Sequence, residues 1–143
     1  MKGGFGMITY EENGPVTQKE LEELFLQLEW QSGRHGSRLY HAVKNSGYYI
    51  TARNSGRELV GLISALDDGA INVYIPYALI HPDYQRRGIG RNMIERLQEH
   101  YRDFLRITLI SYSESAAFYQ ASGFSVCPEQ IPMELSRFPK PEP

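Results

Sequence analysis

The sequence predicts an α/β (α+β) fold: a mixed, mostly antiparallel sheet of six to seven strands flanked by about four helices. Three observations carry this expectation. A capping box opens an apolar repeat at helical spacing near the N-terminus. Three successive strand-like runs joined by short polar turns occupy the middle of the chain. Helix and strand patterns then alternate to the C-terminus, giving the order β, α, α, β, β, β, α, β, α, β, β.

The elements follow in order. Met7 to Tyr10 reads as a short strand, and Glu12 to Pro15 as a turn. Thr17 and Glu20 have capping-box spacing, and Leu21, Leu24, Phe25 and Leu28 continue a helix up to Trp30. Gln31 to Ser37 is a polar, glycine-punctuated loop, and Ser37 caps a shorter helix carrying Leu39, Tyr40 and Val43. From Tyr48 the runs YYITAR, ELVGLISAL and AINVYIPYALI, separated by NSGR and DDG, form an antiparallel meander. Pro76 interrupts the third run. It has no N–H for a sheet ladder, so an edge, a bulge or a local splay is expected there. A helix from about Gly88 buries Ile89, Met93, Ile94, Leu97 and Tyr101. A strand over Phe104–Ile110, a helix from Ser113 to Gly123, and two short strands near Phe124–Cys127 and Ile131–Leu135 complete the chain.

No internal repeat, low-complexity block or linker interrupts residues 1–143, so one domain is expected, with 1–6 and 137–143 as loose tails. A chain of this length can bury about 70% of the surface its unfolded form exposes. The net charge of -2 offers no bulk attraction to nucleic acid or to an anionic membrane, and no run approaches the roughly eighteen apolar residues of a membrane span. The N-terminus lacks the apolar core of a signal peptide. Cys127 is the single cysteine, so no internal disulfide can form, and zinc-ligand spacing is absent; no metal is expected. These features point to a cytoplasmic protein with a small-molecule partner.

The run from His81 to Leu97, HPDYQRRGIGRNMIERL, places two glycines at the mouth of a helix. Glycine there lets the backbone turn tightly and leaves first-turn amides open to a ligand. With the positive end of the helix dipole and Arg86, Arg87 and Arg91 nearby, the stretch suits a phosphate or pyrophosphate. A plain strand-to-helix turn with solvated arginines is the alternative. No Lys-Ser/Thr follows the second glycine, so this is not a P-loop, and Met93 stands where a dinucleotide fingerprint needs its third glycine.

Gln85-Arg86-Arg87-Gly88-Ile89-Gly90 resembles the Q/R-x-x-G-x-G/A signature of the GCN5-related N-acetyltransferase (GNAT) superfamily, and Ala116 to Phe124, AAFYQASGF, resembles its A-x-F-Y-x-x-x-G-F segment. Both occur in order, about thirty residues apart, with a strand and helix between. The resemblance implies the GNAT fold with a V-shaped split between the central strands, and an enzyme: an acyltransferase that moves acetyl from acetyl-CoA to a primary amine by direct attack.

On that resemblance, the main chain of Gln85, Arg86, Arg87, Gly88, Ile89, Gly90 and Arg91 holds the pyrophosphate. Leu79 and Ile80 face the pantetheine and thioester, Ser115 joins the cofactor contacts, and Tyr119 is the general acid for the leaving thiolate. Relatives often carry a carboxylate on the strand before the signature and an Asn ahead of the tyrosine helix. Here the strand reads NVYIPYALI and Tyr112 stands at the second place, so the base is unassigned. The alternative is a CoA-binding sensor or scaffold with little turnover. RNA binding by the arginine loop fits poorly with the overall acidity.

Trp30, His35, Tyr74 and Tyr77 are the candidate acceptor-side residues, with His41 as a second histidine near that loop. His81 reads as a turn residue, Cys127 as a small hydrophobe, and Asp67 and Asp68 as a hairpin turn. Small members of the superfamily often dimerise, which leaves a homodimer open.

Overall fold

The computed structural model describes residues 6–139; residues 1–5 and 140–143, most of the two expected tails, lie outside the described residues. The chain forms β1 (Thr9–Glu12), α1 (Gln18–Gln27), α2 (Gly36–Lys44), β2 (Tyr48–Arg53), β3 (Leu59–Asp67), β4 (Asn72–Ile80), α3 (Ile89–His100), β5 (Arg106–Leu109) and α4 (Ala116–Ala121). Short 3-10 turns precede α2 at Gln31–Arg34, α3 at Pro82–Tyr84 and α4 at Ser113–Ser115.

The sheet has five strands in the order β1-β2-β3-β4-β5. The first four are antiparallel neighbours, and β5 lies parallel to β4. The expected six to seven strands are therefore too many among the described residues. Phe124–Cys127 and Ile131–Leu135 take no strand pairing, and from Ser125 to Pro139 every residue is exposed. Their sequence has strand character, but no neighbouring strand satisfies their backbone groups. β1 begins two residues later than expected, and β5 is shorter at both ends.

Local chemistry explains the helices. The Thr17 hydroxyl accepts from the Glu20 amide while the Glu20 carboxylate accepts from the Thr17 amide, the expected capping box. α1 stops at Gln27 rather than reaching Trp30, because Glu29 turns into the left-handed region at φ 62. The expected polar loop from Gln31 is a 3-10 turn with Ser32 and Gly33 buried, and His35, not Ser37, stands at the N-cap of α2. α3 buries Ile89, Met93, Ile94 and Leu97, as its periodicity predicts, and Tyr101 caps it from within the core.

The two faces of the sheet carry separate cores. Tyr48, Ile50, Ala52, Ile63, Val73 and Ile75 pack with α3, while Tyr49, Leu62 and Leu79 pack with α1 and α2. β4 changes faces midway. Leu66 pairs with Tyr74 and Ser64 with Tyr77, so Ile75 and Pro76 together oppose Ala65 as a bulge. Before the bulge odd-numbered residues face α3; after it Ala78 and Ile80 face α3 and Tyr77 and Leu79 face α1 and α2.

Arg53, only 5% exposed, joins β2 to the start of α1. Its guanidinium donates to both Glu20 carboxylate oxygens at 2.9 and 2.8 Å and to the carbonyls of Pro15 and Arg57. The Arg53 hydrogen bond is the main reason the Glu20 carboxyl is held below its ordinary value. Removing one member of a buried pair leaves the other uncompensated, so Arg53→Ala is expected to cost about 3–5 kcal/mol in urea denaturation. Because the folded-state pKa of Glu20 is depressed, its stabilisation is complete above the unfolded value near 4.5 and is lost as pH falls through the folded value. The wild-type urea midpoint should therefore decline more steeply below about pH 4.5 than that of Glu20→Gln.

Candidate active site

The strand pair β4–β5 creates the opening. Parallel pairing runs from Asn72 with Arg106 to Ile75 with Leu109 and then stops, although β4 continues to Ile80. From Pro76 onward, β4 has β3 on one side and no strand on the other. Leu79 and Ile80 lie on this half-paired stretch, Leu79 2% exposed and Ile80 half-buried. A cleft between parallel strands that part at their C-terminal ends is where open α/β sheets admit ligands.

The cleft leads to the glycine loop. His81 caps the 3-10 turn, its Nδ1 accepting from the Asp83 amide at 3.1 Å while its own amide donates to the Val60 carbonyl at 2.8 Å. Arg86 adopts φ 64 and Gly88 φ 84. Gly88 is the N-cap of α3, with no side-chain cap and no acidic residue in the first turn. The first-turn amides thus face outward at the positive end of the helix. Arg86, Arg87 and Arg91 are exposed around them; Arg87 lies over the Tyr84 ring and Arg91 pairs with Glu95. Open backbone donors with a cationic surround fit an anionic group, as the loop's sequence suggests.

The two glycines answer different constraints. A Cβ at Gly88 would meet nothing within 4 Å, so glycine is needed there for its backbone angle. A Cβ at Gly90 would stand 3.1 Å from Phe118 and 3.9 Å from Ile80, so glycine there lets α4 close over the start of α3. That contact brings the tyrosine helix to the loop. Gln85 is engaged otherwise than in a purely main-chain role: its side-chain amide donates to the Ile80 carbonyl at 3.0 Å. The Ile80 carbonyl therefore already has a partner.

Tyr119 follows Phe118 on α4, half-buried against the α3-side core, with the Phe118 ring at 5.0 Å and the Phe124 ring at 5.9 Å. Burial raises its pKa above the ordinary 10.0, so the phenol stays protonated through the neutral range. Ser115 lies at the end of the turn that leads into α4, and Tyr112, 52% exposed, opens that turn.

A separate cavity of about 230 Å³ lies on the α1 and α2 side, lined by Ser32, His35, Arg38, Leu39, Ala42, Tyr77, Arg137 and Phe138. Of the four expected acceptor-side residues, His35 and Tyr77 meet here. Trp30 stands behind the wall, its ring 5.6 Å from Tyr77 and 6.2 Å from Phe25, and Tyr74 is 39% exposed outside the lining. The Tyr77 and Ser32 hydroxyls share a hydrogen bond of 2.8 Å, and the Phe25 ring meets Tyr77 edge-on at 4.9 Å. Ser32, Arg38, Arg137 and Phe138 escaped the sequence reading because no pattern links a tail to a helix one hundred residues away. The edge contact of Phe138 with His35 at 5.8 Å makes that link. The lining contains two arginines and no carboxylate.

No helix among the described residues is long and apolar enough to cross a membrane. Residues 37–138 match the family model described as an acetyltransferase (GNAT) domain. Among curated proteins, the chain is 33% identical to a histone acetyltransferase, TAP1, of Glycine max, covering 90% of this chain and 61% of that protein. It is 30% identical to the uncharacterized N-acetyltransferase ycf52 of Pyropia yezoensis, covering 83% and 71%. The chain thus spans less than two thirds of the soybean protein's length. A GNAT family acetyltransferase of Streptococcus pneumoniae superposes with a TM-score of 0.79 at 23% identity, over 92% of this chain and all of that one. A predicted acetyltransferase of Clostridium acetobutylicum, solved with acetyl-CoA, superposes at 0.63 with 15% identity over 90% and 96%.

The backbone angle makes a direct prediction. Gly88→Ala should cost about 1–2 kcal/mol in urea denaturation despite the open space, because an L-residue strains in the left-handed region. Gly88→Asn should cost less.

Proposed function

The chain belongs to the GNAT acetyltransferase family, and from that premise we propose that it transfers acetyl from acetyl-CoA to the primary amine of a small molecule. The observation that carries the proposal is the parting of β4 and β5 after Ile75 and Leu109, directly ahead of an uncapped helix N-terminus ringed by arginines. In this reading the main chain from Gln85 to Arg91 receives the pyrophosphate, with Ser115 nearby. The half-paired edge at Leu79 and Ile80 lies beside the thioester arm.

The chemistry needs positioning and one well-placed proton. The neutral amine attacks the thioester carbonyl carbon, a C–N bond forms, and the C–S bond breaks with its electron pair leaving on sulfur. Tyr119 donates its phenolic proton to that thiolate, and the nitrogen loses its extra proton to water. Burial holds Tyr119 above the ordinary phenol value, so it is protonated at neutral pH and gives up its proton only to a thiolate that its site stabilises poorly.

The cavity at Ser32, His35 and Tyr77 is the proposed acceptor site. Its volume suits a small molecule, and Arg38 and Arg137 without a lining carboxylate oppose a lysine-rich polypeptide. The lone Cys127 fits a reducing compartment such as the cytoplasm. One observation favours a second reading, a CoA-binding sensor with little turnover: β4 carries no carboxylate from Asn72 to Ile80.

Calorimetric titration of acetyl-CoA should give micromolar binding to wild type and none to Gly90→Glu, which places bulk and negative charge at the loop; absence of wild-type binding would sink both readings. Tyr119→Phe is expected to lower kcat about 100-fold with acetyl-CoA affinity unchanged. Wild-type kcat should rise with pH as the bound acceptor loses its proton and fall only above pH 10, where Tyr119 ionises. That falling limb should be missing in Tyr119→Phe. Unchanged turnover in Tyr119→Phe would remove the proposed acid, and acetyl-CoA binding without turnover of any amine would favour the sensor.

A further inference from the structure

The cavity on the α1 and α2 side carries a charge that its ligand must answer. Arg38 and Arg137 border it, and no carboxylate does. Arg53, Arg57, Arg91 and Arg102 each pair with a carboxylate elsewhere in the fold, whereas among the described residues neither Arg38 nor Arg137 forms an ion pair. Two cations stand at one concave site without a counter-charge.

Both guanidinium groups owe their place to His35. Arg38 stands three residues after it, one turn along the same face of α2. Arg137 precedes Phe138, whose ring meets His35 edge-on at 5.8 Å. A helix and the distant tail thereby bring their arginines to the same opening. The rest of the lining is neutral. Leu39 is 2% exposed, and the Ser32 and Tyr77 hydroxyls share their hydrogen bond of 2.8 Å.

We propose that the acceptor carries an anionic group, a carboxylate or a phosphate, in addition to its primary amine, and that Arg38 and Arg137 select it. The inference rests on the reading of this cavity as the acceptor site. A guanidinium fork matches both anions in shape and charge. A bare alkylamine arrives as a cation and meets two like charges with no carboxylate to offset them. An anion on the same molecule turns that repulsion into attraction, so the site discriminates by what it rejects as well as by what it holds.

The elements also set the direction of the ligand. Tyr77 is the β4 member of the lining and stands two residues before Leu79, so the amine turns toward β4 and the half-paired edge. The arginines come from α2 and the tail, so the anion turns toward those walls. A short apolar spacer between the two groups suits Leu39, Tyr77 and Phe138.

The test is calorimetric titration of the full chain with two matched sets of amines. One set is propylamine, γ-aminobutyrate and aminopropyl phosphate; the other is benzylamine, aminomethylbenzoate and aminomethylphenyl phosphate. In at least one set an anionic amine is expected to bind about 10-fold or more tighter than the bare amine. A larger gain for the carboxylate identifies an amino acid as the acceptor class, and a larger gain for the phosphate a phosphorylated amine; either upholds the proposal. Arg38→Gln and Arg137→Gln should each weaken binding of that anionic amine about 5-fold or more, and the double variant should abolish the preference. Circular dichroism should be unchanged in all variants, since both side chains are exposed.

Bare amines that bind as tightly as their anionic counterparts overturn the proposal. So does a preference that survives the double substitution, or absence of any amine binding up to about 10 mM. Titration of acetyl-CoA and an assay of acetyl transfer separate this inference from the reading beneath it. Acetyl-CoA binding without an anion preference overturns the inference alone. An anionic amine held by both arginines but never acetylated overturns the acceptor reading.

Discussion

The bulge at Ile75 and Pro76 is the constraint on which the candidate site depends. Inserting one residue opposite Ala65 shifts the alternation of β4 by one. Tyr77 is thereby directed toward α1 and α2 and Ile80 toward α3. With strict alternation the two would exchange faces, and the Tyr77–Ser32 hydrogen bond would have no geometry in which to form. The pairing with β5 ends at the same point, so one irregularity both opens the cleft and aims the residues beside it.

Around this irregularity the scaffold is tied together by buried contacts. β2 is buried along its whole length, and Arg53 ties it to the capped start of α1. The aromatic group of Phe25, Trp30 and Tyr77 continues that anchorage to the post-bulge part of β4. On the opposite face, Tyr101 donates to the Asp67 carboxylate and fastens the end of α3 to the β3–β4 hairpin. Asp68 closes that hairpin by accepting from the amides of Ala70, Ile71 and Asn72, which holds its carboxyl well below the usual carboxylate range. Loops that carry function are best supported by elements of this kind.

Charge is distributed locally rather than in bulk. The chain has a net charge of -2, yet the glycine loop presents Arg86, Arg87 and Arg91, and the cavity is bordered by Arg38 and Arg137. Both places set arginines beside the features proposed to take ligands. Composition alone would have missed both, since a sum over the chain contains no position.

The sequence by itself determined the capping box at Thr17, the buried stripe of α3, the meander from Tyr48 to Ile80, a disruption at Pro76 and the two family motifs. Each is a pattern within a few consecutive residues, where local backbone preference and periodicity act. It misjudged Phe124–Cys127 and Ile131–Leu135 because alternation reports a capacity to pair and not the presence of a partner. Only the tertiary structure decided the register of the bulge, the packing of Phe118 over Gly90 and the cavity that joins Ser32, His35 and Tyr77 to Phe138. Those contacts unite residues far apart in the chain, and their geometry is set by how two cores pack on opposite faces of one sheet, which no single stretch of sequence contains.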